Sequence, residues 1–416
     1  MNDKGKKRGR KKNKKNSSMA GFISIVVLIL ITFFVLINLY GQLNELFESY
    51  QQLYSTQVQT PQAAPVFPDE DESAVFEVPQ IDLEYDGFII YEGELELPVN
   101  GATGFSPIRM EMRALAHSES SVIKFLEPGE AFLIISEQGD WWEIESGGNT
   151  GYVRHELCMI NLPDVIPSIR YNNTNTYSSR FASSWYYIPN ISGRALYPGR
   201  TFNERFGREE YIVAVMYSMA KKIHKAQQSA LANGDSLVIY EGFRPLSVQL
   251  RVAAELAALA DVNEDVYRGL NSSSWSLNWF ISTGVSNHQR GCSIDVGLVR
   301  PELEYAVTSR HKYLAHISTP FYFQMPSPIH ELSIESVVFA HPVSINLNSH
   351  WQNTPLSPGM RDNQPAQRLQ RYCTDAGLTP LASEWWHFDD METRRRVPGN
   401  SVGDYILTEI FSRPPE

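Results

Sequence analysis

The sequence predicts an α+β protein in which helices pack around an antiparallel sheet, joined to a small all-β module. Residues 209–231, 247–259 and 364–376 are predicted as helices, the first because apolar residues recur along it at helical spacing. The pair Asn233-Gly234 is predicted to end that first helix. The run 292–298 alternates apolar residues with polar or small ones, which is typical of a strand with two different faces. Residues 96–162 contain short alternating runs separated by turn signals, and these predict the all-β module.

The chain opens with a basic tail followed by a long apolar run. Residues 1–18 hold nine Lys or Arg and one Asp, and no charged residue occurs between Lys15 and Glu45. The apolar run at residues 19–40 has the length of about 20 residues that a helix needs to cross a bilayer. Because basic residues precede it, we expect a single-pass membrane helix with a cytoplasmic N-terminus and the rest of the chain outside. A cleaved signal peptide fits less well, since the run is long and no small-residue cleavage pattern follows it.

The next segment, residues 41–95, is predicted to be an acidic, Pro-rich linker. Four prolines and the acidic cluster at residues 69–72 favour an extended chain. The basic tail carries +8, so the rest of the chain carries −19 against a total of −11. An acidic body of this kind argues against nucleic acid as a partner, because phosphate contacts require clustered Lys and Arg.

The all-β module carries an ordered set of short motifs. They are Glu111-Met112-Arg113, Val122-Ile123, Pro128-Gly129, Gly139-Asp140-Trp141-Trp142 and Gly151-Tyr152-Val153. This order resembles that of bacterial SH3 domains, which usually begin with Asn-Val-Arg where this chain has Glu-Met-Arg. The resemblance implies a small barrel, and such modules in exported proteins often bind cell-wall peptides. The alternative is that Trp141, Trp142 and Tyr152 are core or spacer residues with no ligand.

Two short stretches in the second half of the chain concentrate candidate metal ligands. The first runs from Ser286 to Asp295 and includes His288, and the second includes Glu384 and His387. Two imidazoles and one carboxylate, with one coordination position left open, are what a catalytic zinc site requires. The spare carboxylate of Glu384 lies three residues before a candidate ligand, where it could transfer protons.

The local pattern predicts how these residues meet. Asp295 would share the polar face of its strand with small residues, and Gly291 would allow a turn that brings His288 back towards it. Glu384 and His387 are three residues apart and would point to opposite faces of a regular strand. A bulge, a strand end or a helical turn is therefore needed to bring both into one cleft.

Together these motifs resemble those of a known enzyme family. The patterns Ser-x-His-x-x-Gly-x-x-x-Asp at 286–295 and Glu-x-x-His at 384–387 are similar to those of the zinc D-alanyl-D-alanine carboxypeptidases and dipeptidases of the vancomycin-resistance type. The segment 240–245 resembles the Gly-aromatic-Arg-Pro segment of the same family. That family usually has Ala where this chain has Ser293. The resemblance covers residues 163–416 and implies a zinc peptidase domain.

The resemblance also implies a role for each motif residue. His288, Asp295 and His387 would bind Zn²⁺. Glu384 would take a proton from a water molecule on the metal and deliver it to the departing amine. Arg244, together with the metal, would neutralise the oxyanion, and losing one such contact typically costs about 10²–10³ in rate.

Two more polar residues are candidates for substrate binding. Ser286 could bond the substrate or only orient the loop before His288. Gln249 could approach a substrate carboxylate, and a solvated helix position is the alternative. The eight remaining histidines have no motif context and are not assigned as ligands. Three cysteines allow at most one disulfide within the chain and require none.

The expected function is hydrolysis of D-alanine-containing stem peptides of peptidoglycan by a membrane-anchored zinc carboxypeptidase that faces outward. An endopeptidase or dipeptidase of the same fold is one alternative, because residues 300–363 could reshape the cleft. A non-catalytic cell-wall-binding protein that acts through the SH3-like module is the other. The sequence leaves the oligomeric state open.

Overall fold

The computed structural model describes residues 94–301, 321–344 and 350–414, and they form a mixed α+β fold with mostly antiparallel sheets, as predicted. The predicted basic tail, the membrane helix at 19–40 and all but the end of the linker lie outside the described residues. Within the described ranges, no helix has both the length and the apolar character needed to cross a membrane.

Seven strands form the N-terminal all-β module. They are β1 (Thr103–Phe105), β2 (Met110–Arg113), β3 (Val122–Leu126), β4 (Ala131–Gln138), β5 (Trp141–Ser146), β6 (Asn149–Arg154) and β7 (Met159–Asn161). The turn between β5 and β6 contains Gly147 and Gly148, whose φ angles of 58° and 75° favour glycine. Alternation along β5 buries Trp142 and Ile144 in the core and leaves Trp141 half-buried, as expected for a strand with one inner face.

The larger region contains the remaining strands and the described α-helices. Its strands are β8 (Arg170–Tyr171), β9 (Ala182–Ser183), β10 (Tyr186–Tyr187), β11 (Arg200–Asn203), β12 (Arg208–Tyr211), β13 (Ala214–Met216), β14 (Ser236–Glu241), β15 (Ser293–Arg300), β16 (Phe321–Tyr322), β17 (Thr379–Leu381) and β18 (Glu384–Asp389). Its helices are α1 (Leu162–Val165), α2 (Tyr217–Leu231), α3 (Leu246–Val262), α4 (Glu264–Leu270), α5 (Leu277–Phe280), α6 (Pro358–Arg361), α7 (Gln364–Asp375) and α8 (Met391–Arg396).

The central sheet of this region has the strand order β17-β18-β15-β14-β8, with β16 paired to β15. Only β8 runs parallel to its neighbour, and the other pairs are antiparallel. Helices α2 and α7 pack against each other. In addition, α2 packs against β14 and α7 packs against β15. The predicted apolar face of β15 is confirmed, because Ile294, Val296 and Leu298 are buried in the core together with Cys292. The opposite face of β15 is also buried, and it carries Asp295.

The two regions share one sheet. β13 pairs with β7, so the module's sheet has the order β13-β7-β1-β4-β5-β6-β2-β3. The C-terminal residues also return to the module: the N–H of Arg413 donates to the C=O of Gly101 at 2.7 Å, and the hydroxyls of Ser412 and Thr103 lie 2.7 Å apart. The predicted domain boundary at residue 162 therefore falls inside a continuous structure.

The first predicted helix, 209–231, is wrong over its first eight residues. Tyr211 ends β12 and Val215 lies in β13, whereas α2 begins at Tyr217. Val215 pairs with Ile160 of β7, and this pairing satisfies backbone groups that the helix would otherwise satisfy. Long-range strand pairing therefore overrides the local spacing of apolar residues. The other two predicted helices correspond to α3 and α7.

Local signals explain where several helices begin and end. The side chain of Asn363 accepts from the N–H of Ala366 at 2.9 Å and so caps α7, which has a proline in its first turn. Asn263 caps α4 in the same way. Gly234, with φ of 73°, follows α2 at the Asn-Gly pair that was predicted to end it.

Candidate metal centre

Three side chains predicted as metal ligands converge on one point. His288 lies on a 3-10 turn (His288–Arg290), Asp295 lies on β15 and His387 lies on β18. Asp295 and His387 are directly opposite each other in the antiparallel register of the two strands, which brings their side chains close. All three side chains are buried.

Gly291 brings His288 back towards β15, as predicted. Its φ of 63° lies in the left-handed region that favours glycine. A Cβ at this position would lie 2.7 Å from Sδ of Met159, so a side chain would force Met159 to shift. The turn is closed by the N–H of Cys292, which donates to the C=O of Asn287 at 2.9 Å. Both conformation and space therefore favour glycine here.

The ligand atoms have the spacing expected around a tetrahedral zinc ion. Nε2 of His288 lies 3.1 Å from Nδ1 of His387 and 3.3 Å from Oδ1 of Asp295. Nδ1 of His387 lies 3.1 Å from the same oxygen. Zinc bonds of about 2.0–2.1 Å at tetrahedral angles place neighbouring ligand atoms about 3.3–3.4 Å apart. The three residues therefore fit a zinc ion with one further coordination position.

Outer hydrogen bonds orient both imidazoles. Nδ1 of His288 donates to the C=O of Gly242 at 2.7 Å, so Nε2 carries no proton and is available as a ligand. Nε2 of His387 lies 3.1 Å from Oδ1 of Asp389. Asp389 in turn accepts from the hydroxyl of Ser293. Partners of this kind fix the ring orientation and strengthen metal binding.

Burial and neighbouring charges act together on the three ligands. Burial lowers the pKa of His288, which favours the neutral imidazole. Burial opposes ionisation of Asp295, but the adjacent imidazoles, His288 first, hold its pKa well below the ordinary value. Burial also opposes a charge on His387, yet Asp389 and the hydrogen bond with Asp295 raise its pKa well above the ordinary value. A cation bound at this centre would therefore displace a proton from His387.

Glu384 reaches the same cleft through a bulge. The pairing of β17 with β18 shifts register between Pro380 and Leu381. This bulge places Oε2 of Glu384 3.6 Å from Nδ1 of His387, although the two residues are three apart on one strand. The bulge is therefore the departure from a regular strand that the three-residue spacing of Glu384 and His387 requires. Burial raises the pKa of Glu384 to about 8.

Arg244 lies beside the Oδ2 atom of Asp295. Its Nη1 is 3.7 Å from Oδ2 of Asp295 and donates to the carboxylate of Glu241. Its Nε donates to Oε1 of Gln249 at 2.9 Å. Burial alone would lower the pKa of Arg244, but the carboxylates of Glu241 and Asp295 raise it above the ordinary value. The guanidinium therefore keeps its charge inside the protein.

The two candidate substrate-binding residues contact other site residues. Gln249 is 1% exposed, so it is not at a solvated helix position, and its Nε2 donates to a backbone C=O at 3.0 Å while Oε1 accepts from Arg244. The hydroxyl of Ser286 accepts from the N–H of His288 at 3.3 Å. The N–H of Ser286 donates to Oε1 of Gln289 at 2.6 Å. These bonds agree with the alternative that Ser286 orients the loop before His288. Substrate contact by Ser286 or Gln249 stays a prediction.

Sequence reasoning missed four buried residues around the centre, namely Glu241, Gln289, His330 and Asp389. Asp389 had a usable signal, because it follows His387 by two residues and so shares its strand face. Gln289 lies between the motif residues and donates to the C=O of the motif arginine at 2.8 Å. His330 had no signal, since it comes from a segment without a recognised motif.

Comparison with known proteins bears on the N-terminal module. Residues 107–158 match the family model of the bacterial SH3 domain, and this range contains β2 to β6. None of the curated proteins matches the chain. The zinc carboxypeptidase resemblance of residues 163–416 stays a prediction, whereas the SH3-like prediction is confirmed. The chain thus contains a bacterial SH3 domain at residues 107–158.

Proposed function

We propose that this protein is a zinc metallopeptidase of the D-alanyl-D-alanine carboxypeptidase type. The observation that carries the proposal is the meeting of three ligand atoms, from His288, Asp295 and His387, within 3.3 Å of one another. Two further motif residues lie at the same centre, Glu384 beside His387 and Arg244 beside Asp295. Three motifs that are distant in the chain therefore supply complementary chemistry at one place.

Glu384 is suited to move a proton at this centre. When bound, the zinc ion would acidify a water molecule and polarise the carbonyl group of the substrate. Glu384 lies beside the ligand His387 without being one of the three ligands. A carboxyl whose pKa is about 8 exchanges its proton near neutral pH, so it can accept a proton and later return it to an amine leaving group.

Arg244 is suited to stabilise negative charge. Its guanidinium is held by Glu241 and Gln249, so it is already oriented before a substrate arrives. A fixed cation in a buried site stabilises a developing oxyanion more strongly than a mobile cation in water does. Arg244 would therefore stabilise the oxygen of the attacked carbonyl, or a carboxylate of the substrate beside it.

The proposed substrate is a peptidoglycan stem peptide that ends in D-alanine. Two observations support this choice: the resemblance of the motifs at 286–295 and 384–387 to those of D-alanine peptidases, and the bacterial SH3 domain at 107–158. The apolar run at 19–40 and the basic tail before it support a single-pass anchor in the cell membrane, with the peptidase outside.

The test uses the purified full-length chain. We expect one equivalent of zinc by elemental analysis and release of D-alanine from a synthetic stem pentapeptide, detected by mass spectrometry. Removing the metal with a chelator stops the release, and adding zinc restores it. A chain that binds no zinc, or a zinc-loaded chain that releases no D-alanine, contradicts the proposal.

The same experiment separates the alternatives. Cleavage within the stem or the crosslink, without release of terminal D-alanine, favours an endopeptidase of the same fold. Release of alanine only from a free dipeptide favours a dipeptidase. The third candidate is a non-catalytic wall-binding protein, and the SH3 match is the observation behind it as well. A zinc-free chain that still sediments with purified cell walls identifies that function.

A further inference from the structure

His330 lies beside the candidate metal centre, in the segment 321–344, where the sequence analysis assigned a role to no individual residue. Its side chain is fully buried, and its ring stacks on Phe181 with the ring centroids 4.5 Å apart. The ring of Trp386 meets it edge-on at 6.0 Å. Nε2 of His330 lies 3.1 Å from Oδ2 of Asp295. A histidine from outside the recognised motifs therefore contacts a proposed metal ligand.

The backbone holds His330 in a conformation that is uncommon for residues other than glycine. Its φ is 64°. Its C=O accepts from the N–H of Ala182 at 3.1 Å, and the C=O of Ala182 accepts from the N–H of Leu332 at 2.7 Å. The buried carboxylate of Glu331 accepts from the N–H of Trp185 at 3.3 Å. Residues in strained backbone conformations that are held in place by the surrounding structure cluster at functional sites.

The two oxygens of Asp295 face different partners. Oδ1 faces the ligand nitrogens of His288 at 3.3 Å and His387 at 3.1 Å. Oδ2 faces His330 at 3.1 Å and Nη1 of Arg244 at 3.7 Å. The ionised carboxylate only accepts, so Nε2 of His330 carries the proton. Nδ1 has no hydrogen-bond partner among the residues that the structure describes.

We infer that His330 is a positioning residue that occupies Oδ2 of Asp295 and so directs Oδ1 alone to the metal. The inference rests on the proposed function. With Oδ2 held, Asp295 supplies one ligand atom, and the remaining coordination position stays open for water and substrate. The segment 321–344 thereby has a role at the centre, because it contains the residue that donates this hydrogen bond to Asp295.

A second cation site is the competing explanation. Glu241, Asp295 and His330 offer another set of ligand atoms within 4.8 Å of one another. Arg244 lies among them, because its Nη1 donates to Glu241 and is 3.7 Å from Oδ2 of Asp295. The guanidinium is always charged and would repel a cation placed there. The geometry therefore favours hydrogen bonding by His330 over metal ligation.

The test compares His330→Phe with His330→Gln in the full-length chain. Phe keeps an aromatic ring against Phe181 but has no donor, whereas Gln keeps an N–H donor but has no ring. Zinc affinity is measured by competition with a chromophoric chelator, and the unfolding midpoint is measured on the zinc-free chains. His341→Phe is the matched control, because His341 belongs to the same segment and is exposed.

We expect His330→Phe to weaken zinc binding by about 10–100-fold, the usual effect of losing a partner of a metal ligand. Its unfolding midpoint stays close to that of the wild type, because the ring contact is kept. His330→Gln recovers most of the lost affinity, and His341→Phe binds zinc as the wild type does. This pattern ties affinity to the donor and not to packing.

Two results overturn the inference. One is wild-type zinc affinity in His330→Phe, and the other is equal weakening in the Phe and Gln variants, which lost packing would explain. Should His330→Phe fail to fold, His330→Met replaces it under the same criterion, because Met also lacks a donor and adapts to irregular space. Failure of the proposed function looks different, since the wild-type chain itself would then bind no zinc.

Discussion

The SH3 domain and the candidate metal centre belong to one continuous structure, but they are assembled differently. Strands β4, β5 and β6 follow one another in the chain and pair in that order. The metal centre instead joins His288 to His387, which are 99 residues apart, through the pairing of β15 with β18. The comparison shows that a compact module can be recognised from its own sequence, whereas the site depends on strand pairing over long distances.

The largest expected effect concerns catalysis at the candidate metal centre. Glu384→Gln should lower hydrolysis of a stem pentapeptide by about 10²–10⁴-fold, because a positioned acid–base group contributes this much. Zinc content should stay the same, since Glu384 is not among the three ligands. The control is Glu392→Gln, which changes an exposed carboxylate near Lys222. Loss of zinc together with activity would show that Glu384 has a structural role.

The next prediction tests whether the SH3 domain unfolds separately. Trp142 is fully buried in the module, so Trp142→Ala should cost about 3–5 kcal/mol of unfolding free energy. Because β13 joins the module's sheet, we expect a single unfolding transition that moves to lower temperature in calorimetry. Trp141→Ala, at a half-buried position on the same strand, should cost less. Two separate transitions would contradict the shared-sheet explanation.

A third prediction compares the same backbone conformation in both regions. Gly291 and Gly148 have φ angles of 63° and 75°, but only Gly291 is crowded, by Met159. Gly291→Ala should cost about 1–3 kcal/mol and also weaken zinc binding, because the turn that carries His288 must shift. Gly148→Ala should cost about 1 kcal/mol and leave zinc binding unchanged. Denaturant unfolding and chelator competition measure both quantities, and equal effects at the two positions would refute the prediction.

The smallest expected effect concerns the contact between the regions. The hydroxyl of Tyr217, at the start of α2, lies 3.1 Å from both carboxylate oxygens of Glu137 on β4. Tyr217→Phe should lower the unfolding free energy by about 0.5–1.5 kcal/mol, the usual net value of one hydrogen bond. Tyr267→Phe, at an exposed position, is the control and should change it less. A loss of several kcal/mol would mean that the hydroxyl stabilises more than this one contact.

Much of the fold was predictable from local signals. Alternation identified β5 and β15, and Asn-Gly marked the end of α2. The three-residue spacing of Glu384 and His387 required a bulge, a strand end or a helical turn, and the structure contains the bulge. These signals work because they depend on periodicity and backbone conformation within a few residues. The start of α2 was not predicted, because it depends on the pairing of β13 with β7, a strand that is far away in the chain.

The sequence by itself determined which residues can carry the chemistry, because the types and spacing of His288, Asp295, Glu384 and His387 define a set of donors wherever the chain places them. It also determined the SH3 domain, in which β2 pairs with β3, and β4, β5 and β6 pair in chain order. Only the tertiary structure decided that His330 lies beside Asp295, that Asp389 lies beside His387, and that the two regions share a sheet. The reason is physical: hydrogen bonds depend on distance in space, and segments far apart in the chain become neighbours only when strands pair.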